Sequence, residues 1–192
     1  MTHRAGYWLA NLSVFAVTCV LLGGFVVQFA LSERPCPLCI LQRMGMMLAA
    51  MGPAFILLRA RRGDVSLGDF ATGYGMSILA AMLGASISCR HILLHINDTN
   101  VTSSSPVFGL HLYTWALVVF GTAIVWSGVN LIFARDLTPQ HASWNWTGRL
   151  VLSLFAMTIA ANLIAVFCLE GFHWLLPADP EHYQLFKDLS LH

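Results

Sequence analysis

The sequence predicts an all-α integral membrane protein, a four-helix transmembrane bundle with a fifth span added, and three observations lead there. Of the 192 residues, 57% are hydrophobic and only 10% charged, with a mean hydropathy of +0.70; water-soluble domains carry far more charge. Five apolar stretches, at about 7–31, 40–58, 70–96, 110–134 and 150–169, reach the ~20 residues that a bilayer-crossing helix needs. The arginines of the short connections fall at alternate ends of these stretches, as they do in multi-pass proteins.

Each span has its own signature. The first is preceded only by Arg4 and lacks a small-residue cleavage site, so it reads as a retained span and not a removed signal. The second follows a loop stiffened by Pro35 and Pro37 and ends in Arg59, Arg61 and Arg62. The third is longer than a bilayer requires, so it should tilt or project its last turns. The fourth follows the 97–108 loop and runs into Arg135, and the fifth starts after Arg149 and leads to a tail at 170–192. No internal repeat or low-complexity linker interrupts the chain, and 1–192 reads as one domain. Taking the arginine-rich ends as cytoplasmic puts the N-terminus in the cytoplasm. The loop between the first two spans and the C-terminal tail then lie on the opposite, periplasmic side. A net charge of +1 with scattered arginines gives no field for nucleic acid.

The chemistry sits in Arg34-Pro35-Cys36-Pro37-Leu38-Cys39-Ile40-Leu41-Gln42-Arg43. Two cysteines at this spacing can close one disulfide, and the prolines present the pair instead of burying it. A helix starting just after Pro37 would favour thiolate on Cys39 through its N-terminal amides. Arg43, four residues beyond Cys39, shares its helical face, and so costly a charge near lipid calls for a partner. The oxidising side of a membrane is where such a disulfide persists. No metal site is expected, because zinc wants four ligands of matched spacing and no second cysteine pair is present. Cys19, mid-span, and Cys89 read as packing residues. Cys168, at the outer end of the fifth span, reads equally as packing or as a thiol relay. Trp144 and Trp146 read as interfacial belt.

These residues resemble the DsbB family of disulfide bond formation proteins. The likeness is carried by Pro35-Cys36-Pro37-Leu38-Cys39-Ile40-Leu41-Gln42-Arg43 after a first span, by His91-Ile92-Leu93-Leu94-His95 ending the third, and by Gly109-Leu110-His111-Leu112-Tyr113-Thr114-Trp115 opening the fourth. It covers about the first 135 residues. The resemblance implies a bacterial inner-membrane enzyme that oxidises a soluble, DsbA-like periplasmic thiol oxidoreductase and passes the electrons to ubiquinone or menaquinone within the bilayer. It also implies roles: Cys36 exchanges with partner thiols, Cys39 faces the quinone, and Arg43 and His95 lie beside its ring. Trp115 reads equally as a ring-stacking wall for quinone or as part of an aromatic belt. Arg43 would stabilise the oxyanion formed when a thiolate attacks a quinone carbon. His95 would hydrogen-bond the same oxygens. Relatives usually carry a second cysteine pair on this side of the membrane; here the 97–108 loop has no cysteine, and Cys168 is the nearest remaining thiol.

Two other readings are open at this level. His91 and His95, one turn apart, with His111 on the same side, could hold a haem or metal in an electron carrier. A membrane scaffold that has lost the relay would keep Cys36 and Cys39 permanently oxidised.

Overall fold

The computed structural model describes residues 5–30, 36–95, 112–139 and 145–170. Over them the chain forms α1 (Ala5–Ala30), α2 (Pro37–Arg62), α3 (Leu67–His95), α4 (Leu112–Ile132), a single turn α5 (Ala134–Leu137) and α6 (Trp146–Glu170). Five of these, all but α5, are long and apolar enough to cross a membrane. The protein is therefore an all-α, multi-pass membrane protein. Two thirds (67%) of the most apolar stretch of α2 is buried, against 17–28% in the other four spans. α2 is thus the central helix, packed on α3 and α1, with α4 behind α3 and α6 along α1. Outward side chains such as Leu79, Val125 and Met157 are exposed, as suits a surface whose solvent is lipid.

The helix ends depart from the hydropathy limits for local reasons. α2 begins at Pro37 and not at Ile40, because a proline at the first helical position loses no hydrogen bond and Cys36 caps the turn. α3 begins at Leu67. Ser66 Oγ accepts from the Asp69 amide (3.0 Å) and the Ser66 amide donates to Asp69 Oδ2 (3.2 Å), a reciprocal cap that adds a polar first turn. Arg59 pairs with Asp69 at 3.1 Å and fastens the α2–α3 corner, where Gly63 turns the chain at φ +148°. The fourth span stops at Ile132, and after Phe133 the chain restarts as α5.

Glycines set the register of α2 against α3. A Cβ on Gly52 would meet the Gly73 carbonyl oxygen, and one on Gly45 would lie 3.2 Å from Gly84 Cα. Bare backbones therefore touch at two levels, as small residues allow in membrane helices. Seven residues outward from each member of the Gly45/Gly84 contact lie Leu38 and His91, so the start of α2 stands level with His91. Gly52→Ala should lower the thermal midpoint in detergent, at a cost of about 1–3 kcal/mol, since backbone, not a flexible side chain, blocks the added methyl. Unchanged melting would show that the contact yields freely.

Buried polar groups join other helices. Trp126 Nε1 on α4 donates to Ser13 Oγ on α1 at 2.8 Å, and Ser127 Oγ donates to Ser77 Oγ on α3 at 3.2 Å. Interhelical bonds of this kind add ~0.6–2 kcal/mol each in bilayers. Gly6 abuts Leu137, and Gly148 sits against the Tyr7 hydroxyl. The start of α1, α5 and the start of α6 therefore meet at one end of the bundle, opposite Cys36. Cys19 and Cys89 are both exposed on the outer surface, so neither fills the interior; Cys89 in particular is not a packing residue between helices.

Candidate functional site

Cys36 occupies the N-cap of α2 in extended conformation (φ −69°, ψ 163°), and its sulfur accepts the Cys39 backbone amide at 3.3 Å. The helix start therefore serves Cys36 and not Cys39, the reverse of the expectation from Pro37. One turn on, Cys39 brings its sulfur 2.9 Å from that of Cys36, within hydrogen-bonding reach. Closing a bond of ~2.05 Å from there needs only a small side-chain rotation. Both residues are half-buried.

The third member is His91. Its Nε2 stands 3.9 Å from Cys36 Sγ, and its Nδ1 is hydrogen-bonded to the Gln42 side-chain amide at 3.3 Å. The ring is 4% exposed and packs on Tyr113 with centroids 4.9 Å apart. With Gln42 Nε2 donating to Nδ1, the imidazole proton resides on Nε2, the nitrogen that faces the sulfur. The Cys36 thiol is accordingly held far below its ordinary value of 9.0, at about 4. The hydrogen bond with the Cys39 thiol is the main cause, His91 and the Cys39 amide add to it, and burial opposes them. Reduced Cys36 is thus a thiolate at neutral pH.

That charge state has a measurable consequence. Alkylation of Cys36 in the reduced protein should hold its rate from neutral pH down to about pH 5, whereas an ordinary thiol slows about tenfold per pH unit below its pKa of ~8.5. Linkage has the same sign: a depressed value stabilises the folded reduced form above the ordinary thiol range, and that share is lost as pH falls toward 4. A reactivity midpoint near 8.5 would contradict the geometry.

Arg43 lies one turn deeper, on the α1 side. Its Nη1 donates to Gln28 Oε1 at 2.6 Å and its Nη2 to the Gly24 carbonyl at 3.0 Å, and the guanidinium stands 5.6 Å from the centre of the Phe25 ring. The partner that a membrane arginine calls for is therefore α1. A void of about 10 Å³ adjoins it, bounded by Gln28, Ile40, Arg43, Asn162, Ala165 and others from α6. That is room for about one water. A larger hollow of about 570 Å³ runs along the outward face of α3 past Cys89 and Arg90; among the described residues, its lining comes from α3 alone.

The sequence-derived residues thus separate. Cys36 and Cys39 meet; Arg43 lies below them against α1; Trp115 is half-buried in the first turn of α4, two residues from the Tyr113 that packs on His91. His95 ends α3, but its side chain lies outside the described residues, as do His111, Trp144, the 97–108 loop and the tail after Glu170. In the sequence, His91 stands out only as one of a histidine trio. The signal that could single it out is the pattern of glycines at 45, 52, 73 and 84. Gln42 and Tyr113 carry no signal of their own there. Among the described residues, Cys36, Cys39 and His91 form the one group of three metal-ligating side chains whose ligand atoms all lie within 4.8 Å of one another.

The chain is similar to known proteins. A family model described as Disulfide bond formation protein DsbB matches residues 6–106, which hold the dithiol, Gln42, Arg43 and His91. Disulfide bond formation protein B of Chromohalobacter salexigens is 36% identical over 151 residues, 76% of this chain and 86% of that protein. The protein of the same description from Chromobacterium violaceum is 41% identical over 96 residues, 49% of this chain and 52% of its own length. Disulfide bond formation protein B 1 of Pseudomonas fluorescens strain Pf0-1 is 28% identical over 158 residues, 65% of this chain and 89% of that protein. No solved structure gives a significant match.

Proposed function

The chain belongs to the DsbB family of disulfide bond formation proteins, and from that premise we propose that it is a quinone-coupled thiol oxidase. In this reading it reoxidises a DsbA-like soluble thiol protein through Cys36 and Cys39 and passes the electrons to ubiquinone or menaquinone. The single observation that carries the reading is the Cys36 sulfur 2.9 Å from that of Cys39 and 3.9 Å from His91 Nε2. A static disulfide would gain nothing from a neighbouring imidazole and a depressed thiol pKa.

The likeness to the family assigns partner exchange to Cys36, and the cap serves the second half of that exchange. In the oxidised protein an incoming thiolate attacks Cys36 Sγ, and Cys39 Sγ leaves with the electron pair. The resulting mixed disulfide resolves when the partner's second thiol attacks its own sulfur and expels Cys36, whose low pKa makes it a good leaving group. His91 Nε2 faces Cys36 Sγ and can give or take the proton at that atom. The quinone, when bound, supplies a two-electron acceptor at the membrane boundary. The groups near Arg43 suit it chemically: donors on Arg43 for a carbonyl oxygen, and apolar walls from Ile40, Ala165 and Val166 for a ring. The void itself admits no ring, so α6 must yield where it covers Arg43 or the ring must approach from lipid. Arg43 would hold the oxygen on which negative charge develops.

The arrangement of charges supports a periplasmic dithiol in a bacterial inner membrane. Arg59, Arg61 and Arg62 end α2, and Arg135 and Arg149 belong to α5 and the start of α6, at the end of the bundle opposite Cys36. The proposal is tested by trapping. A reduced DsbA-like protein whose second cysteine is replaced by serine should accumulate a mixed disulfide with Cys36 of the oxidised protein in membranes, and Cys168→Ala should keep most of the oxidation rate, because one thiol cannot store the two electrons of a dithiol. A Cys36–Cys168 bond accumulating when quinone is withheld, with Cys168→Ala inactive, would instead make Cys168 an obligatory relay.

A further inference from the structure

We propose that the reduced protein binds one thiophilic divalent cation, Zn²⁺ or its analogue Co²⁺, through Cys36 Sγ, Cys39 Sγ and His91 Nε2, with a fourth position left open to water or an incoming thiolate. Spacing along the chain conceals this site, since the third ligand comes from α3, brought level with the start of α2 by the glycine contacts. The three ligand atoms already lie within 4.8 Å of one another. A tetrahedral zinc with bonds of ~2.3 Å to sulfur and ~2.0 Å to nitrogen sets its sulfurs about 3.8 Å apart and sulfur and nitrogen about 3.5 Å apart. The Cys36–His91 separation of 3.9 Å is near that value, and the sulfurs, at 2.9 Å, need part by only about 1 Å.

The surroundings of the imidazole are those of a ligand histidine. Metal-bound histidines are oriented by a hydrogen bond at the other ring nitrogen, and here Gln42 provides it at 3.3 Å while Tyr113 packs the ring face. For ligation the imidazole proton moves to Nδ1, and Gln42 turns its amide oxygen to accept it. Two thiolates and an imidazole select a soft or borderline ion over Mg²⁺ or Ca²⁺. The balance is simple: one divalent ion enters, the sulfurs give up the protons they carry, and no electrons move. While the ion is bound, the sulfur lone pairs are engaged and the pair cannot close to a disulfide. Metal therefore holds the protein in its reduced, inactive state. That consequence rests on the oxidase reading; the binding does not.

The test reads binding directly, with neither quinone nor thiol substrate present. Fully reduced protein in detergent under argon, its thiols titrated beforehand, is given Co²⁺ and then Zn²⁺. One Co²⁺ per chain should bind, with sulfur-to-cobalt charge-transfer absorption and tetrahedral ligand-field bands that Zn²⁺ abolishes. Diamide-oxidised protein, Cys36→Ser and Cys39→Ser should lack the charge-transfer bands of the wild type. His91→Ala should lower Co²⁺ affinity by about tenfold or more, and His91→Cys should restore binding with stronger charge transfer. That rescue reports ligation even if the alanine variant folds poorly. Absence of charge-transfer bands in reduced wild type would overturn the proposal, as would His91→Ala binding Co²⁺ as tightly as wild type. If Co²⁺ binds and no oxidase activity is found, the site stands and the oxidase reading fails; if activity is found without Co²⁺ binding, the oxidase reading stands and the metal site fails.

Discussion

Replacing either Cys36 or Cys39 with serine should reduce thiol oxidation to the uncatalysed background. The reason is stoichiometric. A dithiol donor delivers two electrons, and these are stored only by breaking one bond between two sulfurs that here lie 2.9 Å apart. The variants should still differ from each other. Cys39→Ser keeps the Cys36 sulfur at the N-cap, with the residue 39 amide and His91 beside it, so that sulfur can attack the disulfide of an oxidised DsbA-like protein and form a mixed disulfide, but cannot go on to a disulfide of its own. Cys36→Ser lacks the activated sulfur and should form few. Non-reducing electrophoresis after incubation with a DsbA-like protein separates the two outcomes. Wild-type turnover by Cys39→Ser would contradict the mechanism outright.

Arg43→Lys should raise the apparent KM for quinone by about tenfold and leave thiol exchange at Cys36 near wild type. The guanidinium reaches Gln28 Oε1 and the Gly24 carbonyl with two nitrogens of one planar fork. Lysine keeps the charge but spans one such contact at a time. A carbonyl oxygen that must accept charge in the transition state loses a directed donor, at ~1.4 kcal/mol for each factor of ten. Steady-state kinetics with a soluble quinone analogue, beside thermal melting of the same preparation, divide the possibilities. Lower melting with unchanged quinone KM would make Arg43 a clamp between α1 and α2 and nothing more.

Much of this molecule is legible in the sequence, and the parts that are not share a cause. Span number and class follow from hydropathy, because a bilayer demands ~20 apolar residues whatever their partners. The Cys36/Cys39 pairing follows from spacing within one turn. The extra first turn of α3 escapes because Ser66 and Asp69 are polar, and hydropathy cannot register a cap. The placing of His91 beside Cys36 escapes because it depends on how far α3 slides along α2. The packing of Gly45 on Gly84 and of Gly52 on Gly73 decides that. The reassignment of the activated sulfur from Cys39 to Cys36 has a related origin: the dipole of a helix is readable from Pro37, but which sulfur its amides meet depends on backbone angles at the cap.

The proposed chemistry turns on one event, the delivery of two electrons from the Cys36/Cys39 dithiol to a quinone. A single turnover observes it: fully reduced protein is mixed anaerobically with a quinone analogue, and quinone absorbance and free-thiol titre are followed together. Cys36 and Cys39 should be lost as thiols in step with the quinone, one quinone per pair, and Cys39→Ser should reduce none. Thiols that persist beside unreduced quinone, in protein shown to be folded and free of metal, would rule the transfer out.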